Sequence, residues 1–168
     1  MTDTLTCPDA RFNAWADQLG HRFDGELIIG GNYTSTIRHG NQVFVSGQVP
    51  RVGSTVMVVG EVGSDVSLAQ AQVGAQICAM RALALLKTSL GSLSNIQQAL
   101  RLTVYTRSSP HFTQQSEVAD AASQVLHEVL GNAGKHTRTS VGVAQLPKGA
   151  AVELDLVVGV AATSFSDG

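Results

Sequence analysis

The hydrophobic pattern changes period repeatedly along the chain, and that alternation limits the folds open to it. Residues 34–38 and 43–46 alternate as strands do and are separated by His39-Gly40-Asn41-Gln42, so a hairpin is predicted. Residues 52–63, rich in Val and Gly, read as a loop carrying a short strand. The period then becomes helical. Ser67 and Gln70 have the spacing of a capping box, and Val73, Ile77, Met80 and Ala84 build an apolar face that runs to Leu90 before Gly91. A strand over 100–105 follows, and Ser108-Ser109-Pro110 breaks the chain before a second long helix. Its buried stripe is Val118, Ala121, Ala122, Val125, Leu126, Val129 and Leu130, with Gly131 as the stop. Two strands, 139–146 and 150–160, joined by Pro147-Lys148-Gly149, complete the pattern. The expectation is an α+β domain in which two long helices cover one face of a mixed sheet.

Ahead of this lies a short amphipathic helix in which Pro8 suits the first turn, Phe12, Trp15, Ala16 and Leu19 share a face, and Gly20 closes it. Trp15 reads as a packing anchor. The chain divides into an N-terminal helical extension (1–24), the α+β domain (25–162) and a flexible tail (163–168).

If both long helices cover one face of the sheet, the other face must meet water, a ligand or another subunit. The strands are too apolar for a face wholly in water, with Val43, Val45, Leu102, Val104, Val141, Val143, Leu154, Leu156 and Val158 among their residues. Charged residues make up only 14% of the chain against 43% hydrophobic, where a soluble domain carries about 25% charge, so self-association is expected. The net charge of −2 and the absence of any Lys/Arg cluster exclude a polyanion footprint, and no nucleic-acid partner is expected. The five histidines show no ligand spacing, so no metal is expected, and Cys78, inside an apolar helix, reads as a small buried hydrophobe. No signal-peptide pattern and no stretch of about 18 apolar residues is evident, which leads to the expectation of a cytoplasmic protein without membrane attachment.

Arg138 opens an otherwise uncharged strand. A guanidinium beside apolar strands needs an anion, because burying it alone costs several kcal/mol. Its planar fork suits a carboxylate, which is either a structural partner (Glu153, Asp155 or Asp120) or part of a ligand. Ser46 reads as a strand-end residue rather than a nucleophile, and Tyr33 as either packing or ligand contact.

Residues 138–154, Arg-Thr-Ser followed by an apolar strand, Leu146-Pro147 and Glu153, resemble the signature of the RidA/YjgF family. The loop Gly31-Asn32-Tyr33 and the run Ser46-Gly47-Gln48 with Pro50 match two further family positions, so the resemblance spans roughly residues 28–160. It implies a chorismate-mutase-like fold, homotrimers with clefts between subunits, and hydrolysis of reactive 2-enamine and 2-imine acids to 2-oxo acids and ammonia. No organic or metal cofactor is implied. By the same resemblance Arg138 grips the substrate carboxylate, Glu153 positions or activates the attacking water, and Tyr33, Ser46 and Gly47 line the cleft. A trimer that binds small carboxylates without catalysis, as sensor or scaffold, is the alternative. An endoribonuclease role would need a basic groove, which the acidic balance disfavours.

The chain departs from the family pattern in three places. Ser140 stands where many deaminases have cysteine, Asp120 where asparagine is frequent, and residues 131–137 form a longer connection, as in a divergent subgroup. Ser140 and Asp120 are still expected to contact substrate. If the last two strands pair across Pro147-Lys148-Gly149, Arg138 and Glu153 stand roughly 17 Å apart along the hairpin, so one small ligand can meet both only across a subunit boundary or if that pairing is interrupted.

Overall fold

The computed structural model describes residues 7–162. In chain order these form α1 (Pro8–Leu19), β1 (Thr36–His39), β2 (Gln42–Gln48), β3 (Arg51–Val52), β4 (Thr55–Val56), α2 (Leu68–Leu90), β5 (Ile96–Arg107), α3 (Gln115–Leu130), β6 (Thr137–Val143) and β7 (Val152–Val160). The predicted tail over 163–168 lies outside the described residues. One five-stranded sheet has the order β1-β2-β7-β5-β6, and β3 and β4 form a small ribbon beside it.

The hairpin of β1 and β2 forms as expected, with His39 opposite Gln42. The last two strands, which the short Pro147-Lys148-Gly149 turn would allow to pair, are not neighbours, because β5 lies between them. β6 runs parallel to β5, with Leu102 opposite Arg138, while β7 runs antiparallel, with Leu102 opposite Leu156. A parallel pair needs a crossover, and α3 supplies it by carrying the chain from the end of β5 back to the start of β6. The segment after β6 then cannot fold straight back. It follows residues 58–60 instead, where Gly60 N–H donates to Gly149 O (3.0 Å) and Ala151 N–H to Val58 O (3.0 Å).

Both long helices lie on one face. The capping box of α2 is complete, with Gln70 N–H donating to Ser67 Oγ (3.2 Å) and Ser67 N–H to Gln70 Oε1 (2.9 Å). Small residues of α2, among them Ala71, Gly74, Ala75 and Cys78, are buried and allow close approach to the sheet. The expectation that no segment has the length and apolarity of a membrane span is corrected here. By length and composition α2 qualifies, at a mean hydropathy of 1.2, but 61% of that stretch is buried inside the molecule, which accounts for its apolarity. Every residue of the predicted α3 stripe is buried. Phe12 and Trp15 of α1 join the same core, held there by Arg11 Nε donating to Val129 O (2.8 Å) and by Asp9 accepting from Ser92 Oγ and Leu93 N–H (2.6 and 3.0 Å).

β7 displays the two faces of the sheet. Val152, Leu154, Leu156, Val158 and Val160 are buried, while Glu153, Asp155, Val157 and Gly159 between them are only half-buried. The face without helices carries Ile37, Phe44 and Val141, which are 61%, 41% and 38% exposed.

Candidate active site

A cleft of about 580 Å³ opens where β2 ends, β7 begins and the loop before β1 folds over both. Tyr33, Ser46, Gly47 and Glu153 all line it, so four of the residues singled out in the sequence meet in one place. Ile28, Ile29 and Leu85 supply apolar walls, and Lys148 reaches it from the turn before β7. Lys148 is the one non-glycine among the described residues with positive φ (58°), a conformation that costs about 1 kcal/mol.

Local sequence explains how these groups come together. The pairing of β2 with β7 is irregular between Val45 and Gln48, a bulge that re-aims Ser46 and Gly47 at the sheet's rim. A Cβ on Gly47 would stand 2.2 Å from Glu153 Oε1, so any other residue there would push the carboxylate from this position. Gly31 performs a similar service for Tyr33, since a Cβ would fall 3.0 Å from its ring. Ser46 Oγ donates to Thr34 O (2.6 Å) and ties the preceding loop to β2, in keeping with a structural rather than a nucleophilic hydroxyl.

Glu153 is half-buried, and no hydrogen bond from another described residue reaches its carboxylate. Burial raises its carboxyl above the usual carboxylate value, and the charge of Asp155 acts in the same direction. Asp155 also lines the cleft and accepts from Tyr105 Oη (3.2 Å). A carboxyl whose affinity for protons is raised, facing a partly apolar cleft, suits proton transfer to and from water.

Arg138, Asp120 and Ser140 do not join this cleft within one chain. The register through β5 places Arg138 level with Leu156, three residues from Glu153 and two strands away. An odd offset puts the two side chains on opposite faces of the sheet. Arg138 points toward α3, where its Nη1 donates to Asp120 Oδ1 (2.8 Å) and Ser123 Oγ (3.0 Å) and its Nη2 to Ser116 Oγ (2.9 Å). Of the two partners considered for this guanidinium, the structure shows the ion pair with Asp120; Asp120 faces Arg138 and not a ligand. Ser140, opposite Val104, shares the helix-side face with Arg138. Beyond Ser123, His136 accepts from the Ser123 hydroxyl (2.9 Å) and donates from Nδ1 to Gly134 O (2.6 Å).

Sequence reasoning missed two arginines. Arg81 and Arg51 both line the cleft and are only 4% and 9% exposed. Arg81 donates only to neutral oxygens, at Gln48 Oε1 (3.2 Å), Arg51 O (2.9 Å) and Ile28 O (3.4 Å). Burial lowers its pKa; among its neighbours, Cys78 acts in the opposite sense and the Arg51 charge in the same sense. A single cation inside the apolar stretch Ile77-Cys78-Ala79-Met80-Arg81-Ala82-Leu83 was the available signal.

Residues 24–158 match the family described as "YjgF/chorismate_mutase-like, putative endoribonuclease". Protein TCP17 of Trypanosoma cruzi is 37% identical over 149 residues, covering 88% of this chain and 93% of that protein. Among solved structures, Atu1372 of Agrobacterium tumefaciens, of unknown function, is 36% identical with a TM-score of 0.82, over 91% of this chain and 94% of that one. A Shewanella oneidensis protein carrying the same endoribonuclease description is 24% identical and shares the fold, with a TM-score of 0.84 over 92% and 100% of the two chains. Sheet order, helix placement and matched residues together show that the chain belongs to the YjgF family and has its chorismate-mutase-like fold.

Proposed function

We propose that this protein hydrolyses reactive 2-enamine and 2-imine acids to 2-oxo acids and ammonia. The observation that carries this reading is the Glu153 carboxyl: half-buried, without a hydrogen-bond donor, raised in proton affinity and seated against Gly47 in the cleft. An iminium carbon is already electrophilic, so a positioned water suffices as nucleophile. Glu153 takes one proton from that water as the oxygen bonds to carbon, forming a carbinolamine. It returns the proton to nitrogen and then takes the proton of the new hydroxyl as the C–N bond breaks, so that the 2-oxo acid and ammonia leave and the proton on Glu153 passes to ammonia or water. These steps need no cofactor.

The substrate carboxylate is held by Arg138 of a second copy. Arg138 lies on β6 at one edge of the sheet, whereas the cleft lies toward the β1–β2 edge. Contact between such unlike surfaces, repeated head to tail, closes into a ring, and a homotrimer is the assembly we assign. The exposed Ile37, Phe44 and Val141 supply apolar area for that contact. Asp120 is 65% exposed, so solvent weakens its hold on Arg138, which is itself 21% exposed and also donates to Ser123 and Ser116; the substrate carboxylate takes the place of Asp120 on that guanidinium. We place the reaction in the cytoplasm.

The test generates 2-iminobutyrate in situ and follows release of the 2-oxo acid. Wild type accelerates release, and Glu153→Gln and Arg138→Ala each lose about a hundredfold or more of that acceleration. No acceleration by wild type, or full activity in Glu153→Gln, overturns the assignment.

A further inference from the structure

The cleft holds more positive charge than hydrolysis of a simple imino acid requires. Arg51 is 9% exposed, its Nε is fully buried without a partner, and no ion pair or side-chain hydrogen bond engages its guanidinium among the described residues. Arg81, 4% exposed, stands beside it with neutral acceptors only. Two guanidinium groups buried together without a carboxylate are unfavourable, each lacking the anion that would offset its lost hydration. A bound anion would supply the missing partner and offset that cost.

Nearby acids do not fill that role. Glu153 and Asp155 line the same cleft but form no ion pair with either arginine, and Asp155 is engaged by Tyr105. Asp24, on the far side of Arg51, is paired with Arg22, and Glu26 is exposed. Gln48 fixes the arrangement: its Oε1 accepts from Arg81 Nε and its Nε2 donates to Ser46 O (2.9 Å), so the strand end that presents Ser46 and Gly47 also positions Arg81. Arg81 in turn accepts no freedom of its own, since it is tied to the backbone of Arg51 and Ile28.

We infer that Arg51, with Arg81 behind it, is an oxyanion subsite for a second acidic group, so that the preferred ligands are imino and oxo diacids rather than monoacids. This rests on the proposed reading of the cleft, with the first carboxylate at Arg138 of a second copy, the reacting carbon at Glu153 and the side-chain carboxylate at Arg51. A guanidinium fork holds a carboxylate through two parallel hydrogen bonds, and in a buried setting these are stronger than at an exposed lysine.

The experiment is calorimetric binding of two 2-oxo acids, 2-oxoglutarate and 2-oxobutyrate, which are the end products of imine hydrolysis and react no further, to the intact wild-type protein. Wild type binds the diacid about tenfold or more tightly than the monoacid, and Arg51→Met abolishes that preference through the diacid arm. Glu153→Gln keeps the preference while losing hydrolysis, which separates failure of this subsite from failure of the deaminase reading. Thermal unfolding guards against misfolding: ligand-free Arg51→Met melts no lower than wild type, because it removes an unpaired buried charge. Equal binding of the two acids by wild type, an unaltered preference in Arg51→Met, an equal loss of both acids, or a variant that melts well below wild type each overturns the inference.

Discussion

At the scale of single residues the cleft is organised around one carboxyl group held where it is not at its most stable. Glu153 has its proton affinity raised first by burial and then by Asp155. The folded protein therefore favours the protonated form, and the favourable contribution is complete below the unfolded value near 4.5 and lost as pH rises through the folded value. Glu153→Gln removes that loss. The variant is expected to melt above wild type at about pH 8, with the gap closing as pH falls below about 4.5. Thermal melts across that range check it, and a gap that widens in acid contradicts it. Gly47 belongs to the same account, because the space its missing side chain leaves is the space the carboxylate occupies. Neither the raised proton affinity nor the close approach is written in the local sequence. The first depends on what surrounds β7 and the second on the bulge in its pairing with β2.

At the scale of elements, α2 does two things. Its small residues let it lie close on the sheet, and its one buried charge, Arg81, reaches the cleft. The helix begins at a capping box that satisfies donors on both sides of its first turn. Ser67→Ala is expected to lower stability by about 1 kcal/mol, seen as a lower denaturant midpoint at unchanged slope. An unchanged midpoint means that water replaces the cap at no loss. The helices were legible in the chain because their signals are local: Ser67 and Gln70 at the start of α2, and the stripe from Val118 to Leu130 in α3. The strands were legible as strands, and β1 and β2 as neighbours, but the order of the rest was not. Residues 139–146 and 150–160 look like a hairpin because a short turn joins them, yet β5 separates them, since α3 lays β6 along β5's outer side.

At the scale of the whole molecule, the sheet has helices on one side and a mixed face on the other, where Ile37, Phe44 and Val141 are exposed beside polar residues such as Glu153 and Asp155. Of the apolar strand residues expected to cover that face, Val43, Val45, Leu102, Val104, Leu154, Leu156 and Val158 are buried against the helices instead. Sedimentation equilibrium is expected to give a trimer for wild type, and Phe44→Lys or Val141→Lys is expected to shift it toward monomer with loss of imine hydrolysis. A monomeric wild type at micromolar concentration contradicts the composite site, because Arg138 and Glu153 of one chain lie on opposite faces of the sheet. A direct pairing of the last two strands would have required a site shared between copies, and that pairing is interrupted by β5. The observed register reaches the same requirement on different grounds, an odd offset along the strands and two strands of separation.

Periodicity, caps and breakers act over a few residues, so the sequence alone determined which segments are helix or strand, which faces are apolar, and that Tyr33, Ser46, Gly47 and Glu153 belong to a recognisable pattern. Strand order, the pairing of Arg138 with Asp120, and the gathering of Arg51 and Arg81 beneath the cleft depend on contacts between distant parts of the chain. Only the tertiary structure could decide them, because a side chain's charge partner and its access to water are properties of its neighbours in space.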